Sequence, residues 1–447
     1  MRRWIAGLLM LALCLPFAAC GKKQQSDPPV KEPQKDDQQT QQDEEPKPPA
    51  QKEIPLYIGQ SMPIVRIETD GGKRVPTDKS ELACKVSLSS DMEEDCQSDL
   101  GAVIRVRGNG SLGVGHATGK FPYKIKFDKA ANPFSLGDGE ARDWVLLSHG
   151  GEHTMLRDWV AKTLGELLEG IDYSPNSRLV NVYLNDEYVG VYELCEQVEV
   201  KYCRVNVDDG LKTVENGFLV ELDSYGNDIQ VHVGGRTYTV KSKIRREEQI
   251  DFIRGYLQDV DDAVYAGDKD TLAALVDMDS LVDMYLLQEF AKNIDVGWSS
   301  FFMYREAGGK LHFGPPWDFD LAFGNDDRLD NGSHTELYAG TGRAGFGQNH
   351  GWFIALYECD WFRELAHARW TEISQTHIPR LITAVRAMGA AVGADMQENY
   401  KRWDFLGKRL HQEPSHVASL ATYSEHVQYL AGWMENRKAW LDNEFSE

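Results

Sequence analysis

Residues 311–325 read Leu-His-Phe-Gly-Pro-Pro-Trp-Asp-Phe-Asp-Leu-Ala-Phe-Gly-Asn, an apolar run that contains two carboxylates two positions apart. In extended chain Asp318 and Asp320 project to the same side. Phe313, Trp317, Phe319, Leu321, Ala322 and Phe323 are expected to be buried around them. A carboxylate in such company needs a metal, a cation or hydrogen bonds. An Asp that holds a divalent ion beside a phosphate would have this setting. Gly314, Pro315 and Pro316 equally fit a polar turn between two strands.

The elements that must position these groups can be read from periodicity. Ile64–Thr69, Cys84–Leu88, Val103–Arg107 and Tyr123–Phe127 alternate or run apolar between turn residues, as strands do. Arg107-Gly-Asn-Gly-Ser111 interrupts the third of them, which predicts a hairpin with a mobile tip between Gly108 and Gly119. A helix is expected over Leu156–Glu169, stopped by Gly170, and then two strands, Arg178–Leu184 and Tyr188–Leu194, split by the turn Asn185-Asp186. Gly217–Asp223 reads as one more strand. Helical periodicity then dominates: Glu247–Ala266, Asp279–Lys292, Trp361–Ala390 with breaks, and Ser424–Phe445. A β-rich part over residues 55–250 and a helical part over 251–447 predict an α+β protein of two lobes with a cleft between them.

The 447 residues carry a net charge of −22, from 70 acidic against 48 basic side chains. That balance argues against binding nucleic acid through its phosphates and is compatible with a basic protein partner. Arg2 and Arg3 followed by the apolar run Trp4–Ala19 read as a signal peptide over residues 1–19. The segment ends Leu15-Pro-Phe-Ala-Ala-Cys20-Gly21 and resembles a bacterial lipobox, with Cys20 as the lipidated new N-terminus. A plain secretory signal cut nearby fits the same small residues. Lys22 to Glu53 is Lys, Gln, Asp, Glu and Pro with almost no apolar residue, so residues 20–54 are expected to be the lipidated Cys and a disordered linker. No later run is apolar enough to span a membrane. The chain is expected in a bacterial cell envelope, held by its lipid, at the outer membrane or cell surface if the cell is Gram-negative.

Of seven cysteines, Cys14 leaves with the signal and Cys20 carries the lipid. The others can oxidise outside the cytosol, and nearest-neighbour pairing predicts disulfides Cys84–Cys96 and Cys195–Cys203, leaving Cys359 over. No Cys/His spacing points to zinc.

The order of these segments resembles a protein kinase lacking its usual signatures, and more specifically the spore-coat protein H (CotH) kinase family. The resemblance rests on Ile104-Arg-Val-Arg-Gly-Asn-Gly-Ser111, Lys120-Phe-Pro-Tyr-Lys-Ile-Lys-Phe127, Asp143-Trp-Val-Leu-Leu147, Leu156-Arg157, Val182–Tyr192, Asn293-Ile-Asp295, Trp317-Asp-Phe-Asp320 and a closing Trp433…Arg437-Lys-Ala-Trp-Leu441. It implies an atypical two-lobed kinase fold over residues 55–447 that transfers phosphate from ATP to protein Ser or Thr with Mg²⁺ or Mn²⁺. The partners it implies are ATP and a protein substrate, for which basic or Ser/Thr-rich chains are candidates.

Carried onto this chain, the resemblance makes Asp295 the group that orients the acceptor hydroxyl and takes its proton. Asp318 becomes the metal ligand, and Asp320 either a second ligand or a group that orients the first. Five residues after its catalytic Asp the family usually carries an Asn that binds a second metal; here that position is Ser300, a poorer ligand. Arg107 and the backbone of Gly108, Asn109, Gly110 and Ser111 are expected over the phosphates. Lys124 or Lys126, Lys124 preferred, would neutralise them, with Arg105 and Arg107 as runners-up. Glu196 to Val198 would meet adenine at a hinge. Arg157 and Glu221 fit structural ion pairs equally well. Two other classes stay open: a kinase-fold surface protein that binds without turnover, and a carbohydrate-active protein, given 11 Trp and 18 Tyr. The aromatics are spread over apolar positions of helices and strands, as core residues are.

Overall fold

Strict alternation builds the first structure along the chain. In β1 (Ile64–Thr69) Val65 and Ile67 point inward, and the pattern repeats in β2 (Leu82–Ser89), the second half of β3 (Gln97–Val106) and the first part of β4 (Tyr123–Ala131), whereas in β5 (Ala141–Leu147) Trp144 and Leu146 enter the barrel core and Val145 and Leu147 are buried in a separate cluster. With β6 (Ser177–Leu184) and β7 (Glu187–Glu196) they close into a barrel of order β1-β2-β3-β4-β5-β7-β6, sealed by parallel pairing of β6 on β1. Its interior is filled by Val65, Ile67, Val86, Ile104, Ile125, Phe127, Trp144 and Leu146 among others. The turn joining β6 to β7 places Asn185 and Asp186 at φ +50° and +62°, the left-handed pair that a tight hairpin requires.

Two helices interrupt the barrel: α1 (Gly110–Thr118) between β3 and β4, and α2 (Arg157–Leu167) after β5. Then come β8 (Phe218–Leu222), β9 (Gln230–Val233) and β10 (Arg236–Val240), followed by α3 (Glu248–Ala266), α4 (Lys269–Leu275) and α5 (Met278–Ala291). The strands β11 (Phe301–Arg305) and β12 (Leu311–Phe313) return to make a five-stranded sheet of order β12-β11-β8-β10-β9. The chain closes with α6 (Gly351–Tyr357), α7 (Asp360–Ala391), α8 (Gly393–Arg402), α9 (Ser415–Ala418) and α10 (Tyr423–Glu444). A large second core joins α2, α5, α7 and α10 to this sheet, so the protein is α+β. These are features of a computed structural model that describes residues 52–54, 56, 59, 61–223, 225, 228–341 and 351–446. The expected signal peptide, the expected lipid site at Cys20 and the expected linker up to residue 51 lie outside the described residues. Among those described, no helix is long and apolar enough to cross a membrane.

Three expectations are corrected. The segment between Gly108 and Gly119 is not a hairpin tip but helix α1, closed by Gly119 at φ +85° with its N–H on the Gly115 carbonyl at 2.8 Å. α7 runs unbroken past Pro379 rather than breaking. The five cysteines among the described residues are all free thiols, so neither disulfide forms. Cys84 pairs across from Ala102, whereas Cys96 precedes the Gln97–Leu88 pair four residues further along β2, about 13 Å away. A disulfide needs Cα atoms within about 7 Å. Cys195 lies opposite Val145, while the Cys203 thiol sits on the Glu140 carbonyl, before β5 begins.

Candidate functional site

A cavity of about 560 Å³ opens where the β3–α1 turn, the end of β5, α2, the β8 and β10 edge and the loops after α5 and β12 meet. From the barrel come Arg107, Gly108, Asn109, Gly110 and Ser111. Opposite them stand Asp295, Ser300, Asp318 and Asp320. Gly108 takes φ +82°, and a Cβ there would lie 2.1 Å from the Ser111 Oγ, so only glycine turns the chain this tightly into α1. The turn brings the start of α1, with amides that have no partner inside the helix, to the cavity wall.

Asp318 does not sit in extended chain as the spacing predicted. It has φ +68°, a left-handed conformation that is costly for a residue with a Cβ. Both carboxylates nevertheless reach the same cavity. The Ser300 hydroxyl donates to Asp318 Oδ2 at 2.9 Å, and Ser300 is itself left-handed at φ +60°. Asp320 makes no side-chain hydrogen bond or ion pair among the described residues. Burial, then Asp318 and Asp158, push its carboxyl well above the ordinary value. Burial and the Asp318 charge likewise lift Asp295 to about 7. Carboxylates therefore converge here with little local compensation. The Arg107 guanidinium lies 5.7 Å from the Trp317 ring, with Asp318 its foremost charge partner. Lys241 is engaged by Glu221 at 2.7 Å, and Arg328 by Asp326 at 2.5 Å.

A family described as CotH kinase protein matches residues 104–441, most of the chain. The chain belongs to the CotH kinase family. A comparison with curated proteins found no match.

The cavity of this CotH-family chain gathers one set of the expected residues and leaves out another. Asp295, Ser300, Asp318, Asp320 and the stretch Arg107–Ser111 all line the cavity. Lys124 and Lys126 do not. In β4 the inward positions are Tyr123, Ile125 and Phe127, so the two lysines face out of the barrel, where Lys124 pairs with Asp143 at 2.8 Å. Arg105 stands opposite Lys124 on that outer face. Glu196 and Val198 also miss the cavity. Glu196 accepts bonds from Asn176 and Tyr173, and Val198 packs into an apolar cluster with Leu219, Phe302 and Trp317. Arg157 makes a buried ion pair with Glu152, whereas Glu221 pairs with Lys241 on the cavity wall itself.

Other groups at the CotH site escaped the sequence reading. Asp158 and His149 line the cavity, with Lys162 and Glu193 buried behind them. His149, Asp158 and Glu193 lie close enough to share a metal ion. Their charges are already matched, however. Lys162 Nζ sits 2.7 Å from Glu193 Oε1, and the His149 ring lies between Glu193 (2.6 Å) and Asp158 (3.9 Å). Burial alone would discharge that ring, but the bond to Glu193 and the carboxylates around it raise His149 to about 9. One sequence signal was there: Asp158 and Lys162 are four apart on α2, and every residue from Arg157 to Gly165 is buried. Two exposed aromatics stand at the cavity mouth, where Trp298 Nε1–H donates to the Tyr225 hydroxyl at 3.1 Å.

Proposed function

We propose that this CotH domain is an atypical protein kinase with a two-lobed kinase-like arrangement, transferring phosphate from ATP to protein Ser or Thr with Mg²⁺ or Mn²⁺. The observation that carries the reading is the convergence of Asp295, Asp318, Asp320 and Arg107 on one cavity. The donor set fits a hard divalent cation: it is all oxygen, and the half-buried carboxylates Asp318 and Asp320 have no cationic partner at bonding distance among the described residues. When bound, such an ion would offset the negative charge of the phosphates.

The chain's own residues do the rest. Asp318 and Asp320 would hold the ion, with the Ser300 hydroxyl fixing the orientation of Asp318. Arg107, in the place expected of a lysine, would donate to the phosphates. The first amides of α1 would point at them from the same side. Asp295 would align the acceptor hydroxyl and accept its proton at a carboxylate oxygen. Its raised value near 7 suits a base that must take up a proton at neutral pH. ATP turnover by the purified chain with Mg²⁺, then with Mn²⁺, tests the assignment. Absence of both binding and turnover would refute it.

A second reading, a kinase-fold surface protein that binds nucleotide or a partner without turnover, is favoured by Ser300 at the position of the family's Asn. A hydroxyl ligates Mg²⁺ less well than an amide oxygen. Ser300→Asn is therefore expected to raise activity, or to lower the metal concentration required, by roughly tenfold. Asn tolerates the left-handed backbone of this position, so the exchange should not disturb the loop. A metal titration of turnover reads the effect, and an unchanged midpoint would remove Ser300 as the weak link.

Export belongs to the same proposal: Cys20 is the lipid anchor, and protein partners would be met at the envelope. Cys20→Ala should leave the precursor uncleaved or release it from membrane fractions. Unaltered processing and fractionation would sink the lipoprotein assignment.

A further inference from the structure

Behind the two metal-facing carboxylates runs a buried line of alternating charge. Lys162 Nζ meets Glu193 Oε1 at 2.7 Å, Glu193 Oε2 meets His149 Nε2 at 2.6 Å, and His149 Nδ1 faces Asp158 Oδ2 at 3.9 Å. Each of these side chains is at most 5% exposed. The line ends on backbone: Asp158 Oδ1 accepts from the Phe319 N–H at 2.5 Å. Phe319 is the residue between Asp318 and Asp320, and Asp318 is held left-handed at φ +68°. A conformation that costs on the order of 1–3 kcal/mol persists only where its surroundings over-determine it. At Asp318 the constraint comes from two sides, the Ser300 hydroxyl on the carboxylate and Asp158 on the next amide.

We propose that Lys162, Glu193, His149 and Asp158 are positioning residues that lock the Asp318–Phe319–Asp320 turn so that both carboxylates face the cavity. The inference rests on the reading that these carboxylates serve metal and phosphate. Its physical logic is charge ordering. Burial holds the Asp158 carboxyl above its ordinary value, opposed by the positive charges beside it, and the ionised form is the stronger acceptor for a buried amide. Lys162 and then His149 supply that positive charge, and Glu193 orients His149 through its other ring nitrogen while pairing with Lys162. Lys162 also lies 5.6 Å from the Trp317 ring, so the same cation touches the residue preceding Asp318. Four elements, the end of β5, α2, β7 and the segment after β12, are tied together at one peptide group.

The test compares Asp158→Ala, Lys162→Met and the charge-balanced pair Lys162→Met/Glu193→Gln with wild type, in the full chain. Amide hydrogen exchange over 317–321 reads the lock whether or not ATP is turned over. Expected is exchange at Phe319 faster by on the order of tenfold or more in Asp158→Ala and in Lys162→Met, with barrel strands β1 to β3 unchanged. The charge-balanced pair should lose less than Lys162→Met, and Lys162→Arg should restore the wild-type rate. Wild-type exchange at Phe319 in Lys162→Met would overturn the proposal, and so would equal loss of protection throughout the barrel. Titration of Mn²⁺ in the presence of ATP is the second readout: its midpoint should rise in parallel with the exchange rate. A wild type that binds no Mn²⁺ with ATP would defeat the reading of the site, while the exchange result would still decide whether the turn is locked from behind.

Discussion

Asp318→Asn is expected to abolish metal-dependent nucleotide binding, lowering affinity in the presence of Mg²⁺ or Mn²⁺ by roughly 10²–10³-fold and turnover at least as much. The argument is one of charge at constant shape. The amide keeps an oxygen that can accept from the Ser300 hydroxyl, and Asn is among the residues that tolerate a left-handed backbone such as the φ +68° found here. What disappears is the negative charge that would hold a hard cation against the phosphates. Arg107 also loses the foremost charge that favours its protonated form. Calorimetric titration of ATP with and without the divalent ion separates the two consequences. The metal-dependent part should vanish, while any residual metal-free affinity should persist or rise, because a like charge no longer faces the phosphates. Equal affinities for wild type and variant in the presence of metal would sink the assignment of Asp318 as its ligand.

What the sequence disclosed and what it concealed follow a physical division. Local signals were legible: the two-residue turn Asn185-Asp186, the alternation of β1, and the apolar faces of α2 and α10. Asp295, Ser300 and Asp318, chosen from the order of short segments that resembles CotH kinases, line one cavity, and their roles are proposals. Failures came where tertiary context decides. Gly110–Thr118 carries three glycines and reads as a loop, yet it forms a helix between its flanking Asn109 and Gly119. The pleat of β4 assigns Lys124 and Lys126 to one face, but whether that face meets the cavity or solvent depends on how the barrel closes, and it turns them outward. Nearest-neighbour pairing of cysteines ignored that strand register holds Cys84 and Cys96 apart. The line from Lys162 to Asp158 was unreadable for a related reason. Its members come from three elements, and only the fold shows that a His and a Lys compensate two buried acids.

Asp295→Asn should separate chemistry from binding. Nucleotide affinity with metal is expected to stay within a few-fold of wild type, because the proposed role of Asp295 is toward the acceptor rather than the phosphates. Phosphoryl transfer should fall by roughly 10²–10⁴-fold for loss of a positioned base. The pH dependence gives an independent check. Burial, followed by the Asp318 charge, lifts Asp295 from 3.8 to about 7 in the folded chain. Folding therefore favours its protonated form. That contribution to stability is complete below about pH 4 and is lost as the pH rises through about 7. The Asn variant has no such proton to lose, so it should match wild type in thermal stability near pH 4 and exceed it by a few degrees near pH 8. Activity must run the opposite way: wild-type transfer should increase through about pH 7 as the base ionises, and the variant's residual rate should lack that limb. A bound divalent ion offsets Asp318, one of the two main causes of the shift, so the apparent value in the metal-loaded enzyme should lie below that of the metal-free chain. A wild-type profile with no ionisation between about pH 4 and 8, together with a variant that transfers phosphate normally, would remove Asp295 from the mechanism.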